Sequence, residues 1–155
     1  MSKVYLFDWG DTLMVDYPDQ TGKMYQWPHV EAVEGAEVIL KQLSQSTTIY
    51  IATSAQDSTE SEIQQAFQRV GLDTYISGYF CKANLGLEKQ DPEFYKAIIA
   101  SIGQTANNVT MVGDSLEKDI YPALSAGLTA IYFHKEGQPV PKGTQHITHL
   151  EQLID

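Results

Sequence analysis

The chain has 155 residues, of which 43% are hydrophobic and 19% charged, and 20 acids against 10 bases leave a formal net charge of −10. That length suits a single domain spanning 1–155, with a core large enough to fold without staples. The charge argues against nucleic acid or an anionic membrane surface as a partner, and no stretch nears the roughly 20 apolar residues of a membrane span. Cys81 has no second cysteine to pair with, which fits a reducing, cytoplasmic setting. Met1-Ser2-Lys3 leads into an apolar run too short for the hydrophobic region of a signal peptide.

The first apolar run, Val4–Phe7, ends in Asp8-Trp9-Gly10-Asp11-Thr12-Leu13. A segment over about 14–28, with Tyr17, Pro18, Tyr25, Trp27 and Pro28, has the composition of a loop and reads as a flap. Ala36, Ile39, Leu40 and Leu43 then fall on one face of a helix. A second strand, Thr48–Ala52, closes on Thr53-Ser54. Ile63, Ala66, Phe67 and Val70 repeat the helical spacing behind a cap at Ser58 or Thr59, with Gly71 as the stop. Tyr75–Phe80 is a third strand, and Cys81 after it reads as a small core residue. Lys89 precedes Asp91-Pro92, a cap and first-turn proline for a helix carrying Phe94, Ile98 and Ile102. The fourth strand, Val109–Val112, runs into Gly113-Asp114-Ser115, with Asp119 just beyond. A short helix over Tyr121–Ala126, a fifth strand over Thr129–Phe133, and a short strand or turn with a terminal helix over Thr144–Asp155 complete the chain.

Four of the five strands are β-branched or aromatic with little alternation, as strands buried on both faces are. Strands alternating with helices give a three-layer, Rossmann-like α/β domain around a five-stranded, mainly parallel sheet. Ligands in such folds bind beyond the carboxyl ends of the strands. Asp8, Thr53, Ser54, Lys89, Asp114 and Asp119 all leave strands or approach helices where that edge would be. Carboxylates gathered there repel one another and call for a cation. A hard Mg²⁺ completed by phosphate oxygens meets that need. A lysine and a small hydroxyl would hold the remaining phosphoryl oxygens, and an aspartate can itself attack phosphorus.

These residues resemble the motifs of the haloacid dehalogenase (HAD) superfamily of aspartate-nucleophile phosphohydrolases. Asp8-Trp9-Gly10-Asp11-Thr12-Leu13 is similar to its first motif, D-x-D-G-T-L, and Thr53 to its strand-closing Thr or Ser. Lys89-Gln90-Asp91-Pro92 is similar to its K-P-D-P, and Val112-Gly113-Asp114-Ser115 with Asp119 to its V-G-D-S followed by a second Asp. The resemblance implies a HAD-like fold and a phosphatase working through an aspartyl-phosphate on Asp8, with Mg²⁺ as cofactor and a phosphorylated small molecule or macromolecule as substrate. It implies that Asp8, the Gly10 carbonyl and Asp114 hold the metal. Thr53, Ser54 and Lys89 would bind phosphate, and Asp119 would sit close to the metal or hold Lys89 in place. Lys82 is the substitute should Lys89 be a surface lysine.

One departure bears on the chemistry. The family's phosphatases carry an Asp two residues after the nucleophile, where it protonates the leaving oxygen and later activates water; here that position is Gly10, and the acid stands at Asp11. In an extended segment Asp11 would point away from the site. The missing acid predicts a preference for leaving groups of low pKa, unless another residue supplies the proton. It also opens a second reading, a catalytically weak phospho-binding or interaction domain. A receiver domain uses similar residues, but its phosphoacceptor normally ends its third strand. The spacings from Asp8 to Thr53 and from Thr53 to Lys89 leave no room for a cap domain, so the resemblance is to a capless member. Its open site would be covered by the flap or by a second copy of the chain. His29, His134, His146 and His149 lack zinc-site spacing.

Overall fold

The computed structural model describes residues 3–154. Met1, Ser2 and Asp155, at the two ends of the expected lead-in and terminal helix, lie outside them. Strands β1 (Val4–Phe7), β2 (Thr48–Ala52), β3 (Gly78–Phe80), β4 (Val109–Gly113), β5 (Thr129–Phe133) and β6 (His146–Ile147) form one sheet in the order β3-β2-β1-β4-β5-β6. Every pairing is parallel.

The sheet has six strands where five were expected. The tail pairs through His146 and Ile147 with Tyr132 and Phe133, a two-residue strand with almost no periodicity to read. The third strand is shorter than expected, because Asp73–Tyr75 coil into a 3₁₀ turn before it.

Helices α1 (Ala36–Leu43) and α2 (Glu60–Gln68) cover one face, burying Ile39, Leu40, Ile63 and Phe67 with Phe7, Ile49, Ile51 and Val112 of the sheet. Helices α4 (Pro92–Ile102) and α5 (Tyr121–Ser125) cover the other, where Phe94, Ile98 and Ala123 pack with Val4, Leu6 and Met111. Both faces are therefore sealed, which is why the strand sequences are continuously apolar. A single helical turn, α3 (Lys82–Leu85), follows β3, with the buried Cys81 immediately before it.

Thr59 rather than Ser58 caps α2, in a reciprocal pair of hydrogen bonds with Glu62. Asp91 caps α4 by accepting from the Glu93 N–H, with Pro92 in the first turn. Among the described residues no helix is long and apolar enough to cross a membrane.

Chain order reverses between β1 and β4: from the central β1 the chain first builds outward through β2 and β3, then returns to β1's other side. The parallel register pairs Phe7 with Val112 and Ile51 with Phe7. Asp8, Thr53 and Asp114 consequently leave the sheet on the same edge, at the switch point where such sheets open a crevice.

Candidate active site

Asp8 extends the β1 ladder by one residue, its N–H donating to Val112 O at 2.9 Å. The chain then coils tightly instead of running on extended: the N–H groups of Thr12, Leu13 and Met14 all converge on the Trp9 carbonyl. Asp11 stands at φ 59°, in the left-handed region that Asp tolerates better than most residues. The expectation of an extended Gly10-Asp11 segment thus gives way to a turn. Asp11 lines the cleft, with its Oδ1 accepting a hydrogen bond from the Asp16 N–H at 3.0 Å.

The flap is the far arm of this turn. Val15 N–H donates to Glu31 O and Val33 N–H to Leu13 O, so residues 13–15 and 31–33 pair as a short antiparallel hairpin. Its aromatics are structural: Trp27 is buried and donates to Gly22 O, and Tyr17 stacks at a tilt beside it. Two contacts tie the flap to α2 and the residue after it. Lys23 Nζ pairs with Glu62 at 2.9 Å, and Arg69 donates to the carbonyls of Tyr25 and Trp27.

Lys89 is the centre of the charge arrangement. It is 1% exposed, and its ammonium lies 2.9 Å from Asp8 Oδ1 and 2.5 Å from Asp119 Oδ1. Lys82, the substitute, is exposed and pairs instead with Gln56 and Glu88. Thr12 donates to the other oxygen of Asp8 at 3.3 Å. Asp119 is aimed inward by a π turn over Leu116–Ile120, an uncommon element that often marks functional sites. Ser115 opens that turn: its side chain accepts from Lys118 N–H, and its own N–H donates to Asp119 Oδ2 at 3.0 Å. Gly113 is glycine for a local reason, since a Cβ there would overlap the Asp119 carboxyl. Of the two roles expected for Asp119, it holds Lys89, and it also lies among the metal-competent acids: Asp8, Asp114 and Asp119 each offer an oxygen, all within 4.8 Å of one another.

One lysine among three carboxylates leaves the cluster short of positive charge. Burial pushes Asp114 up to about 8, aided by a hydrogen bond to Asp8 and by Asp8's charge. Burial and the charge of Asp8 likewise lift Asp119 to about 6, against the pull of Lys89. Asp8 goes the other way. Burial raises it, but the Lys89 charge and hydrogen bonds from Asp114, Lys89 and the Trp9 N–H outweigh that and hold it below the usual carboxylate range. Asp8 is the most readily ionised acid of the cluster.

Asp8, Gly10, Thr53, Ser54, Lys89 and Asp114 line one open cleft of about 800 Å³. Thr53 is buried, with its hydroxyl accepting from Ala55 N–H at 3.2 Å, and Ser54 is half-buried beside it. Every expected site residue therefore reaches the same cavity. Sequence reading missed Asp16 and gave Thr12 no role; neither stands at a strand end, and the coil after Trp9 brings Asp16 to the cleft and Thr12 against the Asp8 carboxylate. His134 and His146 hydrogen-bond each other at 2.9 Å beside the β5–β6 pairing.

Fold and cleft together define a hydrolase class, and comparison with known proteins says which. Residues 9–133 match the family model of the haloacid dehalogenase-like hydrolases, and the chain belongs to that family. It is 27% identical over 127 residues to YfnB of Bacillus subtilis (strain 168), a protein named as a HAD-hydrolase, covering 79% of this chain and 53% of that one. It is 26% identical over 91 residues to the glyceraldehyde 3-phosphate phosphatase of Methanocaldococcus jannaschii, covering 56% and 40%. The chain thus spans about half the length, or less, of these curated relatives. A crystal structure of the Bacillus subtilis protein bound to magnesium superposes with a TM-score of 0.78 at 18% identity, covering 98% of this chain and 96% of that one. A HAD phosphatase from Thermococcus onnurineus superposes at 0.85 with 18% identity, covering 97% and 95%.

Proposed function

We propose that the chain is a Mg²⁺-dependent phosphohydrolase that passes a phosphoryl group first to Asp8 and then to water. The observation that carries this reading is the buried Lys89 bridging Asp8 and Asp119, beside Asp114, at the switch point of the sheet. A surface lysine has no reason to sit there; a lysine that keeps a nucleophilic carboxylate ionised and meets an incoming dianion does. The names of the Methanocaldococcus and Thermococcus proteins support phosphate as the group transferred, and the magnesium bound by the Bacillus protein supports the metal.

The donor set fits Mg²⁺. It consists of oxygen donors only, and three acids share one ammonium, so a divalent cation would relieve their repulsion. Asp8, the Gly10 carbonyl and Asp114 are the groups that would hold it, since both oxygens of Asp119 are already engaged by Lys89 and the Ser115 N–H. When bound, the ion would neutralise phosphoryl oxygens and lower their repulsion of Asp8.

The chain's own groups do the rest. Lys89 and Thr12 orient the Asp8 carboxylate, and the Thr53 and Ser54 hydroxyls with Lys89 hold the phosphoryl oxygens. Asp8 attacks phosphorus, the bond to the leaving oxygen breaks, and water then cleaves the acyl-phosphate to phosphate and free Asp8. Phosphate release from a panel of phosphate esters tests the reading. It is expected with Mg²⁺ and absent with EDTA; metal-independent release, or none from any ester, overturns it.

The cluster also sets a pH dependence. Asp114 and Asp119 hold folded-state values of about 8 and about 6, above those of the unfolded chain. The folded state therefore binds more protons than the unfolded one between about pH 4 and pH 8, and metal-free stability falls as pH rises through that window. Mg²⁺ competes with those protons, so the rise in Tm on adding Mg²⁺ is expected to grow from about pH 5 to about pH 8. Thermal melts with and without the ion check this; a constant rise would contradict it.

A further inference from the structure

Gly10 has no side chain, yet the space in front of it is not vacant. A Cβ at position 10 would lie 3.3 Å from Asp16 Cβ and 3.4 Å from Asp16 Oδ2. The carboxyl of Asp16, arriving from the flap hairpin, fills the region into which a side chain at position 10 would point. Three further observations mark it out. Asp16 lines the cleft that contains Asp8, Lys89 and Asp114. Its backbone is fixed there by the Asp11 carboxylate, which accepts from the Asp16 N–H and is itself held in a left-handed turn. The other acids of the turn and cluster have partners: Asp8 and Asp119 pair with Lys89, Asp114 hydrogen-bonds Asp8, and Asp11 accepts from Asp16. The Asp16 carboxyl is exposed, and among the described residues it has no hydrogen-bond partner.

Displacement at phosphorus is in line, so the leaving oxygen departs on the side away from Asp8. Asp16 is an exposed residue of the same cleft, close enough for the charge of Asp8 to bear on it. We propose that Asp16 is the general acid–base of the reaction, a carboxyl carried by the flap into the space left by Gly10. The assignment rests on the phosphohydrolase reading above. As Asp8 attacks and the P–O bond to the alcohol breaks, the Asp16 proton passes to the departing oxygen, which leaves as ROH. Water then attacks the phosphorus of the acyl-phosphate and gives its proton to the Asp16 carboxylate, and the P–O bond to Asp8 breaks. Ester and water are consumed, alcohol and phosphate are formed, and Asp16 ends protonated as it began.

This reading makes the Gly10-Asp11 order a working unit. Glycine clears the space, Asp11 turns the chain and anchors Asp16, and Asp16 supplies the proton. The wild-type chain is then competent toward esters with poor leaving groups, such as alkyl and sugar phosphates.

The test is the dependence of log kcat/KM on leaving-group pKa for aryl and alkyl phosphates with Mg²⁺, in the wild type, Asp16→Asn and Asp57→Asn. Asp57 is a second exposed carboxyl lining the cleft and serves as the control. kcat/KM reports the steps through the first irreversible one, so a change in the dephosphorylation rate does not confuse the comparison. The expected result is a shallow slope in the wild type and in Asp57→Asn, and a steep negative one in Asp16→Asn. Alkyl phosphates should lose about 10²–10⁴-fold in Asp16→Asn while nitrophenyl phosphate changes little. Unchanged slopes in Asp16→Asn, with wild-type turnover intact, would overturn the assignment and leave the phosphohydrolase reading standing. An equal loss across all esters would overturn it too, pointing to binding rather than proton transfer. No phosphate release by the wild type from any ester sinks the phosphohydrolase reading and this assignment with it.

Discussion

Asp8→Asn is expected to lower phosphate release by about 10⁴-fold or more, the scale on which loss of a covalent nucleophile acts. The substitution keeps the volume of the side chain and its hydrogen-bonding oxygen, so Thr12 can still donate to it and Lys89 keeps Asp119 as its ion-pair partner. What disappears is the charge and the second carboxylate oxygen, and with them the attack on phosphorus. The loss belongs in kcat more than in KM, because Thr53, Ser54 and Lys89, which hold the phosphoryl group, are untouched. A second readout separates chemistry from folding: Asp8→Asn should still melt cooperatively without metal, at or somewhat below the wild-type temperature, since the ionised Asp8 held by Lys89 is a favourable contact of the folded state while Lys89 keeps Asp119. Wild-type turnover in a well-folded Asp8→Asn protein would remove Asp8 as the nucleophile.

The sheet was legible in the chain because parallel strands buried on both faces leave continuous apolar runs, and β1, β2, β4 and β5 have that composition. β6 was read only as a short strand or turn, since two residues cannot show a period. The acids at the strand ends were legible for a related reason: register carries them to one edge, so Asp8, Thr53 and Asp114 meet as soon as the strand order is known. Lys89 could be placed near them by its position ahead of the Asp91-Pro92 helix start and by its motif, and its depth came as a structural finding, since lysine is rarely buried unless paired. The turn after Trp9 was the least legible part. Nothing in the spacing of Gly10, Asp11 and Asp16 announces that three N–H groups converge on the Trp9 carbonyl, or that Asp11 takes a positive φ. Those local hydrogen bonds, rather than any apolar pattern, decide which acid faces the cleft.

Lys89→Met is the other substitution with a large expected effect, and it separates the electrostatic role of this lysine from its packing. Methionine keeps most of the aliphatic stem in a position that is 1% exposed, while removing the charge shared by Asp8 and Asp119. Breaking a buried ion pair by deleting one partner costs about 3–5 kcal/mol, because the remaining charge stays desolvated. Here the remaining charges also repel one another, with Asp114 beside them. The sign with pH follows directly. Without the ammonium, Asp8 joins Asp114 and Asp119 in having a folded-state pKa above its unfolded value, so each is most stable protonated. The stability of Lys89→Met is then present below about pH 4 and lost as pH rises through the raised folded-state values. Urea unfolding near about pH 5 and about pH 8 should therefore show a larger deficit against wild type at the higher pH. Mg²⁺ should recover part of that deficit, because a divalent cation can replace the missing charge where it cannot fill a cavity. Turnover should stay low even with the metal restored, since the ion cannot hold Asp8 and the phosphoryl group in the place Lys89 did. A deficit equal at both pH values and insensitive to Mg²⁺ would mean that Lys89 matters for packing alone, and would remove the charge argument on which its place beside Asp8 rests.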